Sequence, residues 1–243
     1  MVHSIGPKIA IVMPALNEEK SIGSVLKMAR KYAWKIIVVN DGSTDKTARI
    51  AKASGAIVVT HEKNMGLGAS LRDGFRKAIE LRADIIFTID ADGQHLPDDI
   101  PNFLPKISQG YDFVLGERDL HKYPFVKKFG NMFLNLATNI ISGTTLRDTE
   151  SGFRCFSGKS LEKIYPYLKA DGYEIAAEII FAVGLYNLSY ANVRVSSPVY
   201  VKGVTIAHGI GNFMYMLRRR KRNMGDYVKD FKYVMKKWII RRH

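Results

Sequence analysis

Between Lys8 and Asp90 the chain alternates short apolar, β-rich runs with helical patterns. The runs are Lys8–Pro14, Lys35–Asn40, Ala56–His61 and Asp84–Asp90. Glu18–Tyr32, Thr44–Ser54 and Gly68–Leu81 read as helices between them, with Ser43 placed to cap the second. Continuous Ile/Val runs joined by helices leave few folds open. They predict an α/β protein whose mostly parallel sheet is covered by helices on both faces. A helix from about Pro97 to Gln109 and a strand over Tyr111–Gly116 continue the pattern.

In such a sheet the loops after the strands gather at one edge, where ligands bind. Here four of those loops are polar: Pro14-Ala15-Leu16-Asn17-Glu18-Glu19, Asn40-Asp41-Gly42-Ser43-Thr44-Asp45, Asn64-Met65-Gly66-Leu67-Gly68 and Asp90-Ala91-Asp92-Gly93-Gln94. Asp41 and Glu18 can accept hydrogen bonds from base N–H groups and ribose hydroxyls. The glycines near Asn64 are expected to bring the backbone close to a ligand and leave helix-start amides free for phosphate.

The fourth loop carries the sharpest signal. Residues two apart in an extended segment point the same way, so Asp90 and Asp92 can serve one ligand. Two hard carboxylates with the Gln94 amide oxygen suit Mg²⁺ or Mn²⁺, the ions that accompany a diphosphate. The alternative is a solvated turn after a strand.

The second half changes character. Tyr123–Ser142 reads as an amphipathic helix, followed by a polar loop from Leu146 to Arg154. Tyr173–Tyr186 reads as a buried helix, Tyr190–Val201 as a strand, and His208–Met224 and Asp226–Ile240 as basic amphipathic helices. Of the net charge of +14, the segment from Leu217 to His243 carries +9. Such a tail predicts an anionic partner. Tyr227, Phe231, Val234, Met235 and Trp238 form one stripe, to be buried on the protein itself or laid into lipid headgroups. The lipid reading is favoured, since aromatic and basic residues lie together both here and in Tyr123–Ile141. Cys155 is the sole cysteine, which excludes an intrachain disulfide and points to a cytoplasmic setting. No apolar run is long enough to span a bilayer, so the expected location is peripheral, at the cytoplasmic face.

Taken in order, Pro-x-x-Asn-Glu, Asn-Asp-Gly-Ser, Asn-x-Gly and Asp-Ala-Asp-x-Gln-His resemble family 2 glycosyltransferases of the GT-A, Rossmann-like fold. Gly116-Glu117-Arg118 and Thr149-Glu150-Ser151-Gly152-Phe153-Arg154 bring the resemblance nearest to the dolichyl-phosphate mannose or glucose synthases, without their transmembrane helices. The resemblance implies a catalytic domain over 1–206 and a helical tail over 207–243. It places Pro14, Ala15, Asn17, Glu18, Asp41, Gly42, Asn64 and Gly66 at the nucleotide, and Asp90 and Ala91 at the nucleotide sugar. Asp92 and Gln94 would hold the metal. Arg118, Ser151 and Arg154 would meet the acceptor phosphate, and Lys202 would close over the diphosphate. Asp92, Arg118 and Arg154 would be the catalytic set.

The implied activity is a metal-dependent, inverting transfer of a hexose from GDP-mannose or UDP-glucose to a polyprenyl phosphate. A phosphate acceptor is already anionic and needs no strong base. A sugar-hydroxyl acceptor, the alternative within the family, would need one, with Asp171 or Glu174 as candidates. A catalytically silent membrane-surface protein and a nucleic-acid-binding protein are the rivals from other classes. The carboxylate loops argue against both, and specific nucleic-acid binding is not expected.

Overall fold

β1 (Ile9–Ala15), β2 (Lys35–Asp41) and β4 (Ile85–Thr88) are mainly apolar, and in the computed structural model they lie side by side within a seven-stranded sheet. The structure describes residues 6–119 and 125–196, together with 228, 231, 232, 234 and 235. Adding β3 (Ile57–His61), β5 (Phe113–Arg118), β6 (Arg154–Ser157) and β7 (Tyr190–Val195) gives the order β3-β2-β1-β4-β6-β5-β7. β6 runs antiparallel to both of its neighbours, and every other pairing is parallel.

The period of two along each strand divides the core. Ile9, Ile11 and Met13 face one layer, which holds α1 (Ile22–Ala29), α2 (Thr47–Ala53) and α4 (Ile100–Ser108). Ala10 and Val12 face the other, which holds α3 (Leu67–Glu80), α6 (Gly158–Ile164) and α7 (Ile175–Leu185). α5 (Phe125–Ser142) packs on α7, with Ile141 against Ala177 and Phe181.

Buried Glu178 fixes the loop ahead of α7. Its Oε2 accepts from the amides of Lys169 and Ala170, each at 2.9 Å. Arg72 on α3 reaches the same loop, donating to the carbonyls of Lys169 and Ala170 and pairing with Asp171 at 2.5 Å. The loop is thereby pressed onto the start of α3. A Cβ on Gly66 or Gly68 would strike the carbonyls of Asp171 or Ala170.

Most expected elements are present, with four differences. The first helix begins at Ile22 because Glu18–Ser21 form a turn, closed by the Ile22 amide on the Glu18 carbonyl at 3.0 Å. Ser43 does not cap α2, since its hydroxyl accepts instead from the Asn17 amide at 3.0 Å. The fourth strand pairs only as far as Thr88. β6 and α6 were not expected at all. Arg-Cys-Phe-Ser is too short to carry a periodic signal, and pairing with β4 and β5 makes it a strand. Lys202, the boundary after residue 206, and most of the two tail helices lie outside the described residues. Of the tail stripe, Val234 is buried and Phe231 exposed. No described helix is long and apolar enough to cross a membrane.

β6 is nonetheless structurally central. Phe156 packs edge-on to Phe75 at 5.5 Å and against Phe113 at 5.0 Å between ring centroids. Phe156→Ala should cost about 3–5 kcal/mol, read as a lowered urea midpoint with unchanged m-value.

Candidate active site

Strand order reverses at β1. The chain goes from β1 outward through β2 to β3, then returns to β4 on the opposite side. The carboxyl ends of β1 and β4 therefore leave a crevice between diverging loops, which is where ligands bind in such sheets.

The first two loops are clasped together. Asn17 Oδ1 accepts from the Thr44 amide at 2.9 Å. The Glu18 amide donates to Thr47 Oγ1 at 2.7 Å, and the Glu19 amide to Asp45 Oδ2 at 3.1 Å. The Lys46 amide returns the contact to Glu19 Oε2 at 3.1 Å. Asn17 adopts a left-handed backbone, φ 57°, to make this clasp. Its amide side chain is thus a loop fastener. Ala15 and Ala91 are buried in the core layer beneath, while Pro14 pairs with Val39 at the end of β1.

Asp41 is buried at the end of β2 and serves the third loop. It accepts from the amides of Met65 at 2.7 Å and Gly66 at 2.9 Å, and meets His61 Nδ1 at 2.7 Å. His61 Nε2 lies 3.0 Å from Asp73 on α3. Gly42 turns beside this loop with φ 73°, and a Cβ there would come within 2.5 Å of the Lys63 backbone. Asn64 Oδ1 accepts from the Gly66 amide at 3.0 Å.

The expectation of free amides for phosphate at the start of α3 fails. Those of Met65 and Gly66 go to Asp41, and those of Gly68 and Ala69 donate to the Asp171 carbonyl at 2.7 and 3.1 Å. A folded loop supplies the acceptor that a ligand was expected to supply. Asp171, one candidate base, is paired with Arg72, and Glu174 is the residue that opens α7.

The carboxylates of the first and fourth loops do converge. Burial raises the pKa of Glu18 against a hydrogen bond from Ser21, and the charges of Asp92, Asp45 and Asp90 raise it further. Asp90 rests beside His95, with its Oδ2 3.2 Å from Nδ1. Burial pushes the His95 imidazole down despite the Asp90 charge. Asp92 accepts from the Gln94 amide at 2.9 Å and from the Gln94 side chain. Among the described residues Asp92 meets no Lys or Arg, and no three His, Cys, Asp or Glu form a metal cage. Hard oxygens with unbalanced negative charge suit a Mg²⁺ or Mn²⁺ ion held by one or two carboxylates and completed by phosphate oxygens. Gln94 would serve that ion by orienting Asp92.

The arginines lie beyond β4 from β1, on β6 and β5 and beside β7. Arg118, at the end of β5, forms a two-point pair with buried Asp148, Nε to Oδ2 at 2.7 Å and Nη2 to Oδ1 at 2.9 Å. Arg154 is fully buried on β6 beside Thr88 and Leu115. Burial pulls its guanidinium down to about 10, so it stays charged. Ser151 is fully buried too, its hydroxyl accepting from the Phe153 amide at 3.3 Å. Neither Ser151 nor Arg154 is open to a bulky anionic partner. Arg147, not singled out from the sequence, is the accessible cation of this loop, with 46% of its side chain exposed. It pairs with Glu117 at 3.3 Å and borders a surface cleft of about 330 Å³ with Lys106, Asn192 and Arg194. Its sequence signal was adjacency to Asp148, the partner of Arg118. Buried Cys155 has its thiol pushed well up, an inert core residue.

The family model described as Glycosyl transferase family 2 matches residues 10–164. An uncharacterised protein of Methanocaldococcus jannaschii is 41% identical over 197 residues, covering 78% of this chain and 81% of the relative. The UDP-N-acetylglucosamine–dolichyl-phosphate N-acetylglucosaminyltransferase of Methanococcus voltae is 33% identical over 213 residues, covering 78% of this chain and 85% of that enzyme. Among solved structures, glucosyl-3-phosphoglycerate synthase from Mycobacterium tuberculosis, in complex with Mn²⁺, UDP-glucose and phosphoglyceric acid, superposes with a TM-score of 0.68. It is 22% identical and covers 89% of this chain and 81% of its own.

The third loop should respond to pH through His61. Burial lowers its pKa, but hydrogen bonds to Asp41 and Asp73 and their charges outweigh this and raise it above 6.5. A raised histidine stabilises the fold fully below its unfolded value, and that contribution is lost as pH rises through the folded value. The melting temperature of the wild type should therefore fall as pH climbs from 6 through that folded value. His61→Gln should flatten the profile.

Proposed function

Because the chain belongs to glycosyl transferase family 2 and is a glycosyltransferase, we propose that it moves a hexose-type sugar from a nucleoside diphosphate to a polyprenyl phosphate at a membrane surface. The observation that carries this reading is the division of charge along the sheet edge. Glu18, Asp90 and Asp92 gather on the β1 and β4 side, Arg118 and Arg147 on the β5 and β7 side. A donor diphosphate brought with a divalent ion suits the first side, and an anionic acceptor suits the second. The Methanococcus voltae relative is named for a UDP-sugar donor and a dolichyl-phosphate acceptor. The preferred donor is accordingly a UDP-sugar, with GDP-mannose as the comparison.

In this mechanism Asp92, oriented by Gln94, would hold the ion, and Asp90 would lie against the sugar end of the donor. A bound Mg²⁺ or Mn²⁺ supplies charge neutralisation on the departing diphosphate. Asp41 holds the third loop in shape beside the nucleoside. Arg118 is fixed by Asp148, so its guanidinium is oriented before the acceptor arrives and little reorganisation accompanies binding. Arg147, the more exposed side chain, takes the acceptor-phosphate role that the resemblance implies for Arg154. The acceptor phosphate needs no proton removed, and attack from the face opposite the leaving group inverts the anomeric centre. Asp171, held by Arg72, is not required as a base.

The domain reading extends the same proposal. Residues 1–206 form the catalytic unit and 207–243 a basic segment that meets acidic lipid, where each Lys or Arg adds about 1 kcal/mol. That arrangement keeps the enzyme peripheral, at the cytoplasmic face.

Label transfer from UDP-N-acetylglucosamine, UDP-glucose and GDP-mannose to dolichyl phosphate with Mn²⁺ tests the reading. Organic-phase counts should appear with one donor and vanish with EDTA and with Asp92→Ala. Absent counts alongside metal-dependent donor binding would keep the glycosyltransferase and remove the lipid-phosphate acceptor. Arg147→Ala should raise the KM for dolichyl phosphate about tenfold, the loss of one charge-assisted contact, and leave the donor KM unchanged.

A further inference from the structure

Three polar atoms on one short segment are buried with no hydrogen-bond partner: Thr149 Oγ1, Glu150 Oε2 and Arg154 Nε. An unpaired buried polar group is costly, and three within six residues call for an explanation. The segment is otherwise well held. The Thr149 amide donates to Asn135 Oδ1 at 2.9 Å, Arg154 Nη2 to the Thr149 carbonyl at 3.3 Å, and Thr88 Oγ1 to the Gly152 carbonyl at 2.5 Å. The orphaned atoms therefore belong to an ordered wall of the site.

That wall stands directly behind Asp90. A Cβ on Gly152 would come within 2.9 Å of Asp90 Oδ2, so the backbone of the segment lies against the carboxylate. Arg154 feels the charges of both Glu150 and Asp90. Its strand position puts it on the α3 and α7 face of the sheet, the face of Thr88, at the carboxyl end of β4. Donor N–H, hydroxyl and carboxyl thus sit together beside the residue placed at the sugar end of the donor.

We infer that Thr149, Glu150 and Arg154 form a socket that recognises a hydroxyl of the transferred sugar. This deepens the function proposed above and rests on it. The chemistry separates a hydroxyl from a phosphate. A hydroxyl donates its proton to the Glu150 carboxylate and accepts from Arg154 Nε, satisfying two orphans at once. A phosphate can only accept, and it would meet the Glu150 carboxyl with like charge. Burial, opposed by the nearby Arg154 charge, raises the Glu150 carboxyl, in keeping with an enclosed place that charged ligands avoid. Glu150 and Thr149 then distinguish donors by sugar, whereas Asp92 and the third loop bind the part that all nucleoside diphosphates share.

The test compares binding of nucleotide sugar with binding of the bare nucleotide. Wild type, Glu150→Gln and Thr149→Val are titrated calorimetrically, with Mn²⁺, against UDP-N-acetylglucosamine, UDP-glucose, GDP-mannose, UDP and GDP. Both variants should lose about tenfold in affinity for the preferred sugar donor, the worth of one hydrogen bond to a charged group, with unchanged affinity for the nucleotide alone. Analogues of that donor lacking single hydroxyls should identify one position whose removal costs the wild type tenfold and Glu150→Gln almost nothing. Unchanged sugar-donor affinity in both variants would overturn the socket and leave the proposed function intact. Equal losses for donor and bare nucleotide would also overturn it, assigning these residues a structural role. A wild type that binds neither nucleotide nor nucleotide sugar would overturn the proposed function, and the socket with it.

Discussion

β1 hydrogen-bonds in parallel to β2 on one side and to β4 on the other, and the carboxylate side of the candidate site is built on that double pairing. It brings the ends of three strands to one edge and makes the loops after β1 and β4 diverge there. β3 joins through β2 in register, setting His61 beside Asp41. Carboxylates and amides far apart in sequence then come together at that edge. No single loop has enough contacts to hold such a shape, so each is tied to a neighbour.

Those ties divide the polar residues into two kinds. Asn17, Asp41, Asp45, Asp171 and Glu178 are consumed by backbone amides or by other side chains, and they build the crevice. Asp90 and Arg147 retain exposure, and Asp92 meets no described Lys or Arg. Arg118 stands between, its fork fastened to Asp148 while it holds the end of β5 at the crevice. The distinction is energetic. A buried carboxylate must find donors, and the nearest donors in a loop are main-chain N–H groups.

Residue type alone did not separate these kinds. Asp41 and Asp92 both follow an apolar run and both precede a glycine, yet one caps a loop and the other faces the crevice. Arg154 read as an acceptor contact through its motif, but alternation along β6 turns it inward. Arg147, a few residues earlier, had no motif position to recommend it and proves to be the accessible cation. β6 itself has no signal in the sequence, because four residues of mixed type acquire strand character only from the two strands that flank them.

The sequence by itself determined the layered α/β architecture, since continuous apolar runs separated by amphipathic helices bury well only as a covered parallel sheet. It also determined which loops are polar, because Asp, Asn and Gly collect after those runs. Tertiary structure decided which of those residues remain available. That depends on hydrogen bonds between segments up to about a hundred residues apart, such as Asp171 on the start of α3 and Asp148 on Arg118. Local pattern carries no information about such partners, and burial, which makes an unpaired polar group costly, appears only once the chain has closed around it.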